Sequence, residues 1–275
     1  MSTPPIVAAS GCTDVGKFRE QNQDTIRLYQ PEDLQMMLTH GPLYAVADGM
    51  GGYAHGDVAS SLALETFFDV FYKGAPNKPF NNLKNAARHA NTSVYQEAQR
   101  LGVGRMGTTL SAVNISGNQA HIAHIGDSRI YLVRGGQSTV LTRDHTVVGD
   151  MVQMRVLAPD KVRTHEQRSI LNKCLGVQLF AQPDFYQHRV HSGDRLVLCS
   201  DGVWSVIEDH EFGHLAHDHT QPDELNRAII NLSLERDSDD NISVVVIHVE
   251  YVDGSAPPPR GLAAFLRSRW QKSRH

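Results

Sequence analysis

The apolar positions of this chain change period repeatedly, and each change marks the edge of an element. Residues 6–11 are a short run of small and apolar side chains that reads as an opening strand, and 24–29 and 43–47 read as two more. From 57 to 72 the period becomes helical, with Val58, Leu62, Leu64, Phe68 and Phe71 recurring at that spacing. Pro76 and Pro79 break it. A second helix is expected over 81–100, with Leu83, Ala87, Ala90, Val94 and Ala98 on one face, and Gly102 and Gly104 end it.

Four strands are expected in succession at 108–115, 119–125, 129–133 and 139–142. Gly117-Asn118 and Gly135-Gly136 lie between them, and both pairs tolerate the positive φ that tight hairpins need. The stretch 145–159 reads as a short helix and loop, 195–199 as a nearly continuous apolar strand, and 211–217 and 223–234 as helices. The valine-rich 242–249 is the last strand. Clustered antiparallel hairpins beside long helices predict an α+β fold with two packed sheets and helices outside.

Composition narrows the function classes. With 40% apolar and 20% charged residues, the 275-residue chain can bury a sizeable core. A formal net charge of −4 supplies no global field to attract nucleic acid or an anionic membrane. Cys12, Cys174 and Cys199 form no C-x-x-C pair, which speaks against a thiolate zinc site or disulfide framework and for a reducing compartment. No basic and apolar leader opens the chain, and no apolar run approaches the roughly twenty residues of a membrane span. A cytoplasmic protein is expected, with one domain over 1–252 and a Pro-rich linker and basic tail over 253–275. Arg267, Arg269, Lys272 and Arg274 give that tail its charge, and Leu262, Phe265 and Leu266 fall near a helical period.

The chemistry is signalled by strands that run into aspartate. Tyr44-Ala45-Val46-Ala47 leads into Asp48-Gly49, His124-Ile125-Gly126 into Asp127, and Val197-Leu198-Cys199-Ser200 into Asp201-Gly202. Asp24 and Asp240 each stand at the head of a strand. A carboxylate at the mouth of a buried strand is partly desolvated, and several converging would repel one another. A divalent cation relieves both penalties, and an all-oxygen ligand set favours Mg²⁺ or Mn²⁺ over zinc. Any one of these acids could simply cap a turn; taken together they point to a metal centre.

Seven segments in order carry a family resemblance. They run from Asp14-Val15-Gly16-Lys17-Phe18-Arg19-Glu20-Gln21-Asn22-Gln23-Asp24 through Asp48-Gly49-Met50-Gly51-Gly52, Gly107-Thr108-Thr109 and Gly126-Asp127-Ser128-Arg129. Leu141-Thr142-Arg143-Asp144-His145, Cys199-Ser200-Asp201-Gly202-Val203-Trp204 and Asp239-Asp240-Asn241-Ile242-Ser243 complete the set. The chain resembles the bacterial metal-dependent protein phosphatases of the type 2C (PPM) family over residues 8–249. The resemblance implies a four-layer α-β-β-α sandwich of two antiparallel sheets flanked by helices. It also implies hydrolysis of phosphoserine and phosphothreonine in proteins by a hydroxide bridging two Mn²⁺ or Mg²⁺ ions.

By the same resemblance Asp48 bridges the two ions, the Gly49 carbonyl serves the second, and Asp201 and Asp240 serve the first. Asp24 orients metal-bound water, Asp127 with Asp201 makes a third, weaker site, and Arg19 holds the phosphate. The implied partners are phosphorylated proteins made by a bacterial Ser/Thr kinase, with a forkhead-associated protein of a type VI secretion cluster as one candidate. A monomer is expected.

Two departures stand out. Gln23 replaces a glutamate common in the family, and Met50 stands where some eukaryotic members have a histidine proposed as general acid. The segment 144–176 resembles the family's flap, with His165, Arg168 and Leu175-Gly176 in pattern and Val156 where glycine is usual. His210, His214 and His217 could suggest a zinc site but read as a solvated helix face, and Trp204 reads as a core anchor. Two rival readings are a non-catalytic phosphoprotein-binding module and a sporulation-type regulator phosphatase. The intact acid set opposes the first, and the Arg19 motif opposes the second.

Overall fold

The computed structural model describes residues 3–50, 55–103 and 105–254. Gly51, Gly52, Gly104 and the tail beyond Gly254 lie outside the described residues.

Period-two patterning builds the core. In β3 (Leu43–Asp48), Leu43, Ala45 and Ala47 face a cluster with helices α2 (Gly56–Tyr72) and α3 (Pro79–Leu101). Tyr44 and Val46 face the other way, into a second cluster between two sheets. In β10 (Ile242–Tyr251), Val245, Ile247 and Val249 enter that same inter-sheet cluster. Val244 and Val246 face a third cluster with α5 (Asp201–Trp204), α6 (Glu211–Asp218) and α7 (Pro222–Glu235). Alternation on both strands therefore produces four layers, helix, sheet, sheet and helix. This is the expected fold class.

One sheet orders β1 (Ile6–Asp14), β10, β9 (Arg195–Cys199), β6 (Arg129–Arg134) and β7 (Gln137–Val140). The other orders β2 (Asp24–Tyr29), β3, β4 (Leu110–Ser116), β5 (Gln119–Ile125) and β8 (Asp184–Arg189). Every named pairing is antiparallel, so β1, β3, β5 and β9 end where β2, β6 and β10 begin. That shared edge is where the predicted aspartates sit.

Several expected boundaries shift. The hairpin at Gly135-Gly136 pairs Arg134 with Gln137, so β7 starts two residues before the expected strand and stops at Val140. Thr108 and Thr109 precede β4 rather than belong to it. The stretch 145–159 resolves into helix α4 (Val147–Gln153), capped by the Thr146 hydroxyl on the Gly149 amide, and a loop. Three of the named elements went unpredicted, and the four-residue α5 is one of them. Helix α1 (Leu34–Thr39) is a six-residue turn capped by Asp33, too short to display a period. Strand β8 carries adjacent Phe185 and Tyr186, which pack on opposite sides of the sheet, among polar residues, and of the described strands it pairs with β5 alone, at the sheet edge.

Candidate metal centre

Register brings the acids together. Asp24 and Asp48 are directly opposed in the β2–β3 pairing. Asp127 occupies the turn from β5 to β6, Asp201 follows the end of β9, and Asp240 precedes β10. Asp48, Asp127, Asp201, Asp240 and Arg19 line one cleft of about 800 Å³, and Asp24 lies buried beside Asp48.

Backbone and hydroxyl bonds fix this edge. The Asp48 amide donates to the Thr109 hydroxyl at 2.9 Å, and the Thr108 hydroxyl donates to the Asp48 carbonyl at 2.9 Å. The Gly49 amide donates to the Gln23 carbonyl at 3.1 Å. A side chain at Gly49 would meet the Gly56 carbonyl oxygen at 2.1 Å, so only glycine lets β3 pass into α2 this closely. The Gln23 side chain lies against Gly56 at the start of α2. Trp204 is buried as expected, donates its indole N–H to the Asp127 carbonyl at 2.8 Å, and stacks 3.8 Å beneath the Arg129 guanidinium.

The acids are held at an electrostatic cost. Burial pushes the Asp24 carboxyl up to about 6, with the neighbouring Asp240 adding to the rise and the Ser243 and Ser200 hydroxyls opposing it. Burial and then the charges of Asp240 and Asp24 raise Asp201 to about 7. Asp48 and Asp127 are also well above the carboxylate range, first through burial and then through their acidic neighbours. Both oxygens of Asp24 and Oδ1 of Asp201 are buried without a hydrogen-bond partner. Buried polar atoms are rarely left so.

Arg19 sits in the loop after β1 and donates to Asp240 Oδ2 at 2.7 Å. Asn241 anchors that loop by accepting from the Gln23 amide and donating to the carbonyls of Val15 and Gln21. Among the described residues, no three His, Cys, Asp or Glu side chains are already drawn in closely enough to hold an ion. The residues nonetheless fit hard divalent cations: the donors are all oxygen, three of those oxygens are orphaned, and the acids repel one another without a counter-charge.

Sequence reasoning passed over several residues of this cleft. Thr108, Thr109 and Asn241 stood in the recognised segments, yet their work on the Asp48 backbone and the Arg19 loop shows only in three dimensions. Arg105, Lys173, Cys174 and Phe180 also line the cleft and carried no local signal. Met50 lines it too, with a side chain that has no proton to give. In the flap-like segment Arg163 donates to the Trp204 carbonyl at 2.8 Å and to Asp209 at 2.6 Å, while Val156 is exposed. His210, His214 and His217 are exposed on and beside α6, as expected of a solvated face.

The family model for Protein phosphatase 2C matches residues 20–222. Protein phosphatase PhpP of Streptococcus pneumoniae is 31% identical over 245 residues, covering 88% of this chain and 97% of the relative. Among solved structures, Stp1 of Staphylococcus aureus superposes with a TM-score of 0.84 at 27% identity, covering 91% of this chain and 98% of that one. The catalytic domain of the serine/threonine phosphatase PstP, in complex with two manganese ions, gives 0.76 at 29% identity, covering 90% and 99%.

Proposed function

The chain belongs to the protein phosphatase 2C family of metal-dependent protein serine/threonine phosphatases, and from that premise we propose how its own residues carry out the reaction. Asp48, Asp201, Asp240 and the Gly49 carbonyl would hold the two core ions, Asp24 would orient metal-bound water, and Asp127 with Asp201 would hold a weaker third ion. When bound, Mn²⁺ or Mg²⁺ supplies a hydroxide at neutral pH and offsets charge on the phosphoryl oxygens. The observation that carries this reading is the set of buried carboxylate oxygens on Asp24 and Asp201 without a partner, beside a cleft open to solvent.

Arg19, now bonded to Asp240, would offer its planar fork to two phosphoryl oxygens. Thr108 and Thr109 hold the Asp48 backbone still while the leaving serine or threonine oxygen departs. Met50 cannot protonate that oxygen, so its proton comes from water or from another group. The biological role is reversal of a bacterial Ser/Thr kinase, with phosphoproteins of that pathway as substrates.

The test is turnover of p-nitrophenyl phosphate and of phosphothreonine peptides with Mn²⁺. Activity is expected in the wild-type chain and a loss of at least about a hundredfold in Asp201→Asn. A chain inert with both Mn²⁺ and Mg²⁺, or an unaffected Asp201→Asn, would overturn the assignment.

A further inference from the structure

The cleft beside the carboxylates holds about 800 Å³, far more than a phosphoryl group fills, so the rest of it must meet something else. One wall comes from residues 169–182, where Ile170, Val177 and Phe180 line the cleft. Phe180 is 79% exposed and Ile170 48%. Apolar surface of this kind, grouped at the mouth of a polar site, marks a place where a ligand is covered.

The backbone leading to Phe180 is not loose. Asn91, buried on α3, donates to the carbonyls of Gln178 at 3.0 Å and Leu179 at 2.9 Å and accepts from the Gly176 amide at 2.8 Å. Gly176 adopts φ of +87°, and a side chain there would meet Val94 at 2.2 Å and the Met106 carbonyl oxygen at 2.7 Å. Residues 176–179 are therefore pinned against α3 by one amide and one close approach. The entropy of presenting the next ring was spent in folding, so little of it remains to oppose binding.

We infer that Phe180, held out by the Asn91 clamp, is a specificity residue that receives an apolar side chain flanking the phosphorylated serine or threonine. The inference rests on the reading of the cleft as a phosphatase active site. A phosphoryl group seated at Arg19 shares its cleft with Phe180, so the residues beside it in the substrate chain pass along this wall. A second copy of the chain or a lipid surface is less well matched, because the ring faces the same cleft as Asp48 and Asp240 rather than a separate flat patch.

The experiment uses phosphothreonine peptides that differ only by leucine or asparagine at each of the flanking positions, with p-nitrophenyl phosphate as a substrate that has no flanks. Wild-type enzyme is expected to favour leucine about tenfold in kcat/KM at one or more positions, the scale of a single apolar contact. Phe180→Ser is expected to abolish that preference and leave p-nitrophenyl phosphate turnover unchanged. Asn91→Ala is expected to weaken the preference with the ring still present. Because Phe180 is exposed, its substitution tests the idea even if the Asn91 variant folds poorly. The inference is overturned if wild type shows no preference, if Phe180→Ser keeps it, or if Phe180→Ser instead changes the oligomeric state. If wild type fails to hydrolyse p-nitrophenyl phosphate with Mn²⁺, the functional reading fails instead.

Discussion

Replacing Asp24 by asparagine isolates what the buried acids cost the fold before any ion arrives. Both carboxylate oxygens of Asp24 lack a partner, and burial raises the group to about 6. An unfolded aspartate titrates near 3.9, so the rise of about 2 units is worth about 3 kcal/mol. The sign is a penalty: the folded state binds this proton more tightly than the unfolded one. It is absent below about pH 4, grows as pH rises, and is complete above about pH 6.

Asparagine keeps the shape and removes the charge. In chelator, the stability of Asp24→Asn relative to wild type should therefore increase by about 2 kcal/mol between pH 4.5 and pH 7.5. For a chain of this size that is a relative shift in Tm of about 6 °C. Scanning calorimetry of both proteins at the two pH values measures it directly. Saturating Mn²⁺ should narrow the gap, because an ion at a hundred times its Kd stabilises the wild type by about 2.7 kcal/mol and the variant by less. A gap between the metal-free proteins that does not change with pH would refute the reasoning, since a charge penalty must vanish when the charge does.

Arg19→Ala should raise KM for a phosphopeptide by about tenfold to a hundredfold, the worth of a charge-assisted hydrogen bond, and also tighten Mn²⁺ binding in calorimetry because Asp240 loses its internal partner. His145 is buried, accepts the Gly126 amide at Nδ1 (3.2 Å) and holds Nε2 3.1 Å from Asp184 Oδ2, so its two isosteres should behave differently. Asparagine can keep the bond to Gly126 and glutamine only the approach to Asp184; His145→Gln should cost about 1–3 kcal/mol and speed exchange of the Gly126 amide, while His145→Asn should keep it protected. Gly202→Ala places a Cβ 2.1 Å from the Asn241 carbonyl oxygen and should cost at least about 2 kcal/mol by urea denaturation, with weakened Mn²⁺ binding because Asp201 and Asp240 flank the clash.

What the chain determines locally could be read from it. Strands β2, β5 and β9 lie at the expected residues because period-two patterning and bracketing turns are properties of adjacent side chains. The acids at strand mouths were legible for the same reason: an apolar run ending in aspartate announces a desolvated charge before its partners are known. Features that depend on partners far along the chain were not legible. Helix α1 lacks the length for a period, β8 has its two aromatic residues side by side on opposite faces and so shows no alternation, and β7 is set by the hairpin register rather than by its own composition. Tertiary structure alone decided that Arg19 rests on Asp240, 221 residues away, that Asn241 anchors the Arg19 loop, and that Asn91 holds the approach to Phe180. Each is a polar bond between distant segments, and its geometry follows from the register and packing of two sheets, which no local window of sequence contains.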